Sequence, residues 1–273
     1  MSITTTAAPP VSAPEIGLTL TFGDCAENHV GMQIIGERAM SGFDAADLQA
    51  AAEYFTALGK RTELVDLDAV FTGDITRDST SSASVDAAQV LVIRGALDAS
   101  EQEALLAEML ALSWDTKARM RGRVVNKHAR HNLCFDAESA EPNYAEGRGR
   151  VVGFDECPIL AKLRTETVAN MMRSGATADL KVEGNLYYDV RVCGIGFHGD
   201  SERRKVVGMR IGTCGFPLMF QWYHEGERVG PMTRIDLLPG DMYVMTEKAT
   251  GCDWKRRKVP TLRHAAGCNK YTK

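Results

Sequence analysis

His198 and Asp200, in the run GFHGDSERR, are two residues apart. If that segment leaves a strand, side chains at this spacing converge on one ion from the same side of the backbone. His264, in TLRHAAG, supplies a third ligand from a strand remote in sequence. Two imidazoles and a carboxylate on one face of a metal leave three positions open. That suits Fe(II) with a chelating cosubstrate and dioxygen.

These residues need a framework, and the chain can provide one. Its 273 residues are 44% hydrophobic and 25% charged, an ordinary balance for a globular protein with a sizeable core. The formal net charge of −4 supplies no global field for a polyanion, so nucleic-acid contact requires a local basic patch. Seven cysteines without a CxxC pair, and no apolar stretch after Met1, read as reduced thiols in an intracellular protein of cytoplasm or nucleus. No run of about 18 apolar residues is present, which predicts no membrane span.

Residues 1–16, rich in Ser, Thr, Ala and Pro, read as a disordered tail. Leu18, Leu20 and Phe22 alternate with threonines as in a strand, and a helix is expected from Ala45 to Leu58, capped by Asp44 and stopped by Gly59. Small polar residues from Thr72 to Asp86 suggest a linker, making 17–86 an N-terminal extension. Gln89 to Ile93 reads as a strand, Ser100 to Leu112 as a helix opened by a Ser100/Glu103 box, and Pro158 to Arg173 as an amphipathic helix burying Leu160, Leu163, Val168 and Met171. From Val182 onward short β-rich runs follow one another: Asn185–Val190, Val206–Ile211, Leu218–Trp222, Met232–Leu237, Met242–Met245 and Thr261–His264. Pro239-Gly240 fits a type II turn. Strands so spaced suggest a sandwich or barrel, with a jelly roll a natural solution.

The order His-x-Asp, β-rich interval, His, basic residue resembles the Fe(II)/2-oxoglutarate dioxygenase superfamily. NLYYDVRVCGIGFHGDSE is most similar to AlkB-type nucleic-acid dioxygenases, in which an Asn-x-Tyr strand precedes the His-x-Asp segment. The resemblance covers roughly Arg121 to Lys273. It implies an α+β fold with a double-stranded β-helix (jelly roll) core over 87–273, flanking helices and an N-terminal α/β extension. It implies Fe(II) on His198, Asp200 and His264, with 2-oxoglutarate contacted by Asn185 and Tyr187. The family's usual Arg-x-Asn-x-Thr-x-Arg ending is replaced here by HAAGCNKYTK, so Lys273, with Lys270 second, is expected to anchor the cosubstrate.

The implied reaction is hydroxylation of a nucleic-acid base in DNA or RNA, giving demethylation or hydroxymethylation. Arg121, Arg123, Lys127, His128, Arg130 and His131 stand where the family carries a nucleotide-recognition lid, and Glu202 and Arg203 where a base edge or phosphate could be met. A solvated edge strand would explain the same basic segment. Trp254 to Lys258 reads as a stacking and phosphate-holding loop or as a solvated turn. A protein side chain or a small metabolite is an alternative substrate, which a lysine anchor favours, and a non-enzymatic cupin-like binding module is a second alternative.

Overall fold

The computed structural model describes residues 13–68, 87–172 and 175–273. Most of the expected tail, residues 1–12, and the expected linker at 72–86 lie outside the described residues.

The described residues open with β1 (Gly17–Gly23), the short hairpin strands β2 (Cys25–Glu27) and β3 (Ile34–Gly36), α1 (Ala45–Ala57) and β4 (Arg61–Asp66). Next come β5 (Gln89–Arg94), α2 (Ala99–Leu110), the hairpin strands β6 (Lys117–Met120) and β7 (Arg123–Asn126), β8 (His131–Asp136), β9 (Val151–Gly153) and α3 (Pro158–Lys162). The remainder is strand-rich: β10 (Lys181–Tyr187), β11 (Gly194–His198), β12 (Val206–Gly212), β13 (Phe216–His224), β14 (Glu227–Leu237), β15 (Met242–Met245), α4 (Glu247–Thr250), β16 (Thr261–Gly267) and α5 (Asn269–Thr272).

Among the described residues, eight strands form one sheet in the order β4-β5-β15-β12-β1-β10-β8-β9, antiparallel except at β8/β9. Four more form a second sheet, β11-β16-β13-β14. The fold is mixed α+β and dominated by these sheets. Period-two alternation sorts their faces. Leu18, Leu20 and Phe22 of β1, Val207, Met209 and Ile211 of β12 and Val182 and Leu186 of β10 pack with Leu48, Phe55, Leu105, Met109 and Leu160 of the helices. On the other face, Val90, Val92, Tyr243 and Met245 pack against Leu218, Phe220, Trp222, Ile235 and Leu262 of the smaller sheet. The large sheet is therefore a middle layer, and each of these strands must hold its register to keep both faces dry.

Local signals account for the element ends. Asp44 accepts from the backbone N–H groups of Ala46 and Asp47 while Asp47 accepts from Asp44, a reciprocal cap on α1, and Gly59 at φ 75° ends it. Helix α2 departs from the expected Ser100/Glu103 box: Asp98, extended at φ −73°, caps it with Glu101, and the Ser100 hydroxyl donates to Asp98. The helix expected over 158–173 breaks after α3 into a π turn at Leu163–Thr167 and a 3-10 turn at Val168–Asn170. There the Thr165 hydroxyl donates to the Ala161 carbonyl, competing with the helical ladder, yet Leu160, Leu163, Val168 and Met171 are still buried. Gly240 takes the positive φ of 91° that the Pro239-Gly240 turn requires.

The segment read as an N-terminal extension supplies the centre of the large sheet. Strand β1 pairs with β10 on one side and β12 on the other, so the sheet does not divide at residue 86. Val190 N–H donates to the Glu15 carbonyl and Thr213 N–H to that of Ile16, which ties down the end of the expected tail. No helix among the described residues is long and apolar enough to cross a membrane.

Candidate metal centre and its cleft

Strands β11 and β16 are antiparallel neighbours, and His198 lies directly opposite His264. A register irregularity between Ile195 and His198 bends the end of β11 and sets Asp200 beside the pair. Donor atoms of His198, Asp200 and His264 all lie within 4.8 Å of one another. Each histidine Nε2 is 3.6 Å from Asp200 Oδ1, too long for a hydrogen bond and spaced to surround an ion about 2 Å from each donor.

Backbone contacts fix the ligands. His198 Nδ1 lies 2.8 Å from the Gly196 carbonyl, which as acceptor directs the Nε2 lone pair inward. Asp200 N–H donates to the Thr250 carbonyl at 3.0 Å. Between them, a Cβ at Gly199 would sit 2.1 Å from the Gly251 carbonyl oxygen and 2.7 Å from Trp254 Cβ, so the middle residue of His-x-Asp must be small.

The electrostatics ask for a cation. Burial pushes the Asp200 carboxyl above its usual range despite Arg203 and His198, and burial holds His264 well below the usual histidine range. A divalent ion reverses the first effect and uses the neutral imidazole that the second provides, so the donor set fits a metal.

Behind Asp200 stands a buried charge network. Arg203, 4% exposed, donates to Glu183 and Glu202, and its Nε lies 3.7 Å from Asp200 Oδ2. Burial works against ionised Glu183, but Arg203 holds its carboxyl below the usual range. Glu183 accepts from Asn185, whose Oδ1 accepts from Arg130 Nε at 2.6 Å and Asn132 Nδ2 at 2.7 Å.

The triad opens into a cleft of about 800 Å³. Of the residues expected to contact cosubstrate or substrate, Asn185, Tyr187, Arg130, Glu202 and Arg203 line it. Lys270 and Lys273 do not: Lys270 lies over the Tyr271 ring, and exposed Lys273 accepts from Arg228 through its carbonyl. Arg121, Arg123, Lys127, His128 and His131 are likewise outside the lining. The basic segment does form a hairpin, β6–β7, with Arg121 and Gly122 at positive φ in the turn and Arg123 exposed beside it. Lys127 turns inward to the Asn28 and Asn132 side-chain oxygens at 2.7 and 2.9 Å, where burial lowers its pKa to about 8. The His131 ring stacks on Tyr188, whose hydroxyl donates to the His128 carbonyl.

Sequence reading missed Arg210. It lies on β12 opposite Thr19, is fully buried, lines the cleft and stacks 3.5 Å over the Phe216 ring. Its Nη1 donates to Thr19 Oγ1 at 2.5 Å, its Nε has no partner, and no carboxylate is bonded to it among the described residues. A lone cation inside the apolar run VVGMRIG was the available signal. Glu27 and His29, from the β2–β3 hairpin, also line the cleft; burial pushes the Glu27 carboxyl up to about 7 and lowers His29.

No family model matches the chain. It is 44% identical over 259 residues to the "Uncharacterized protein R156" of Acanthamoeba polyphaga mimivirus, an alignment spanning 94% of this chain and 97% of that protein. A relative so similar over nearly its full length places the two in one family, and this chain belongs to the family of that mimivirus protein.

Proposed function

We propose that this chain is an Fe(II)- and 2-oxoglutarate-dependent dioxygenase of jelly-roll architecture that hydroxylates a nucleic-acid base. The observation that carries the reading is the pairing of a two-histidine, one-carboxylate cluster with a buried guanidinium that has no carboxylate partner among the described residues, in one cleft. A buried unpaired charge costs several kcal/mol, so a site that keeps one is built for an anion supplied from outside. A diacid that chelates a metal at one end needs such a counter-charge at the other. The facing sheets, with ligands on adjacent strands of the smaller one, support the jelly-roll reading.

His198, Asp200 and His264 would hold the iron, and together iron, 2-oxoglutarate and dioxygen would supply oxidation of a substrate C–H bond to its alcohol, coupled to decarboxylation of 2-oxoglutarate to succinate. Arg210, rather than Lys273 or Lys270, neutralises the far carboxylate, with Thr19 fixing the guanidinium plane. The Tyr187 and Tyr243 hydroxyls, on the same cleft wall and without protein partners among the described residues, are free to donate to it. A cleft of about 800 Å³ exceeds what a five-carbon diacid fills, which leaves a compartment for a substrate group. Glu27 and Glu202 face that compartment and can accept from base N–H groups.

The test is anaerobic addition of Fe(II) and 2-oxoglutarate, read by the visible charge-transfer band of the chelate. The band is expected in wild type and Lys273→Ala, absent in His198→Ala, and formed in Arg210→Met only at 2-oxoglutarate concentrations at least about 30-fold higher. A wild-type protein that gives no band and retains zinc would overturn the reading in favour of a metal-binding module.

A further inference from the structure

The turn after α4 carries Trp254, Lys255, Arg256, Arg257 and Lys258. Trp254 and Lys255 line the cleft, and the four cations that follow the tryptophan are exposed. Lys255 lies 5.8 Å from the Trp254 ring, Arg257 donates to the Glu225 carbonyl, and no carboxylate pairs with any of the four among the described residues. Four consecutive uncompensated charges in a chain of net charge −4 form a local patch of the opposite sign. The patch is fixed relative to the metal ligands, because Trp254 Nε1 donates to the Ser201 hydroxyl, next to Asp200, at 2.9 Å.

The cleft interior is mixed in charge, with Arg130, Arg203 and Arg210 in its lining. Glu27, Glu183 and Glu202 line it. Glu183 and Glu202 are engaged by Arg203, whereas Glu27 accepts only from the Gly31 N–H and has no cation partner among the described residues. Glu27 is therefore left as an acceptor for an occupant that is anionic where it crosses the rim and donates hydrogen bonds where it enters. A phosphodiester strand with one base turned inward meets both, and the base can turn only if it is unstacked.

We propose that the Trp254–Lys258 turn is the docking surface for a single-stranded nucleic-acid backbone, which leads one base past Trp254 toward Glu27 and the metal centre. The direction of approach rests on the dioxygenase reading above. The β6–β7 hairpin, although basic, lies outside the cleft lining.

The experiment is fluorescence anisotropy of the full chain with labelled single-stranded DNA and RNA of about 12 nucleotides at several salt concentrations. Charge reversal in R256E/R257E/K258E is expected to weaken binding at least about tenfold and to lower the salt slope by about 0.7 for each phosphate that is no longer neutralised. R121E/R123E, on the other hairpin, is expected to bind as wild type does. Unchanged affinity in the first variant, weakening confined to the second, no binding by wild type, or equal competition by polyglutamate would each overturn the proposal. The chelate band, read on the same samples, keeps the two readings separate. It should survive the reversal, and its absence from wild type would fail the dioxygenase reading without touching the binding result.

Discussion

Thr19 and Arg210 face each other across β1 and β12, and the threonine hydroxyl accepts the guanidinium's hydrogen bond at 2.5 Å. The pair joins the sheet's N-terminal strand to the deepest charge in the cleft. Arg210→Met removes a buried charge without opening a cavity, so the free protein should be as stable as wild type or more so. On the proposed function, 2-oxoglutarate binding should weaken by at least about 30-fold, a loss of about 2 kcal/mol. Thermal melts with and without cosubstrate check both halves, and a large loss of stability in the free variant would show that Arg210 is structural.

Gly199→Ala tests the packing that holds the ligands. The new Cβ collides with the Gly251 carbonyl, a backbone atom that cannot swing aside. Displacement of Asp200 should cost about 10- to 100-fold in metal affinity, as loss of ligand support typically does. Competition titration against a chromophoric chelator measures it, and an unchanged affinity would mean that the loop after α4 yields freely.

Glu27 predicts a pH effect. Burial raises its carboxyl from 4.5 to about 7, so between those values the folded state binds more protons than the unfolded state. Stability from this group is therefore complete at low pH and is lost as pH rises through about 7. Glu27→Gln should flatten the decline in melting temperature between about pH 5 and about pH 7.5. A decline of equal slope in the variant would assign the effect elsewhere.

Lys127 and Arg123 are two cations of one basic run with opposite expected outcomes. Lys127→Met strips a cation from the Asn28 and Asn132 oxygens and should cost about 1–3 kcal/mol in urea denaturation. Arg123→Ala, at an exposed position, should stay within about 0.5 kcal/mol of wild type. Equal effects would contradict the inward turn of Lys127.

What can be read from the sequence divides by range. Asp44 and Gly59 announce the ends of α1, and Met242–Met245 has the same bounds in sequence and structure, because caps, turns and alternation act within a few residues. The alternation of Leu18, Leu20 and Phe22 identifies a strand but not its neighbours, since its partners lie around residues 181–187 and 207–212. The triad is legible because ligand chemistry restricts residue type, and the structure brings His198, Asp200 and His264 together. Arg210, which lines the cleft where Lys270 and Lys273 do not, escapes a reading that ranks residues by their offset from His264 along the chain. Burial among Thr19, Phe216 and Tyr243 is a property of three other strands. The π turn after α3 is invisible for a similar reason: Leu160, Leu163, Val168 and Met171 keep a helical stripe whether or not the ladder is intact.

The central place of β1 bears on how the chain acquires its shape during synthesis. Gly17 leaves the ribosome well before its partners Tyr187 and Gly212 are made. Until then β1 has two bare edges, and the large sheet can be completed only through pairings of very long sequence separation, which fold slowly and expose strands to wrong partners. A nascent or truncated chain ending before β12 is thus not a smaller version of the protein but a set of open edges, and β12, once made, delivers Arg210 and closes β1 in the same step.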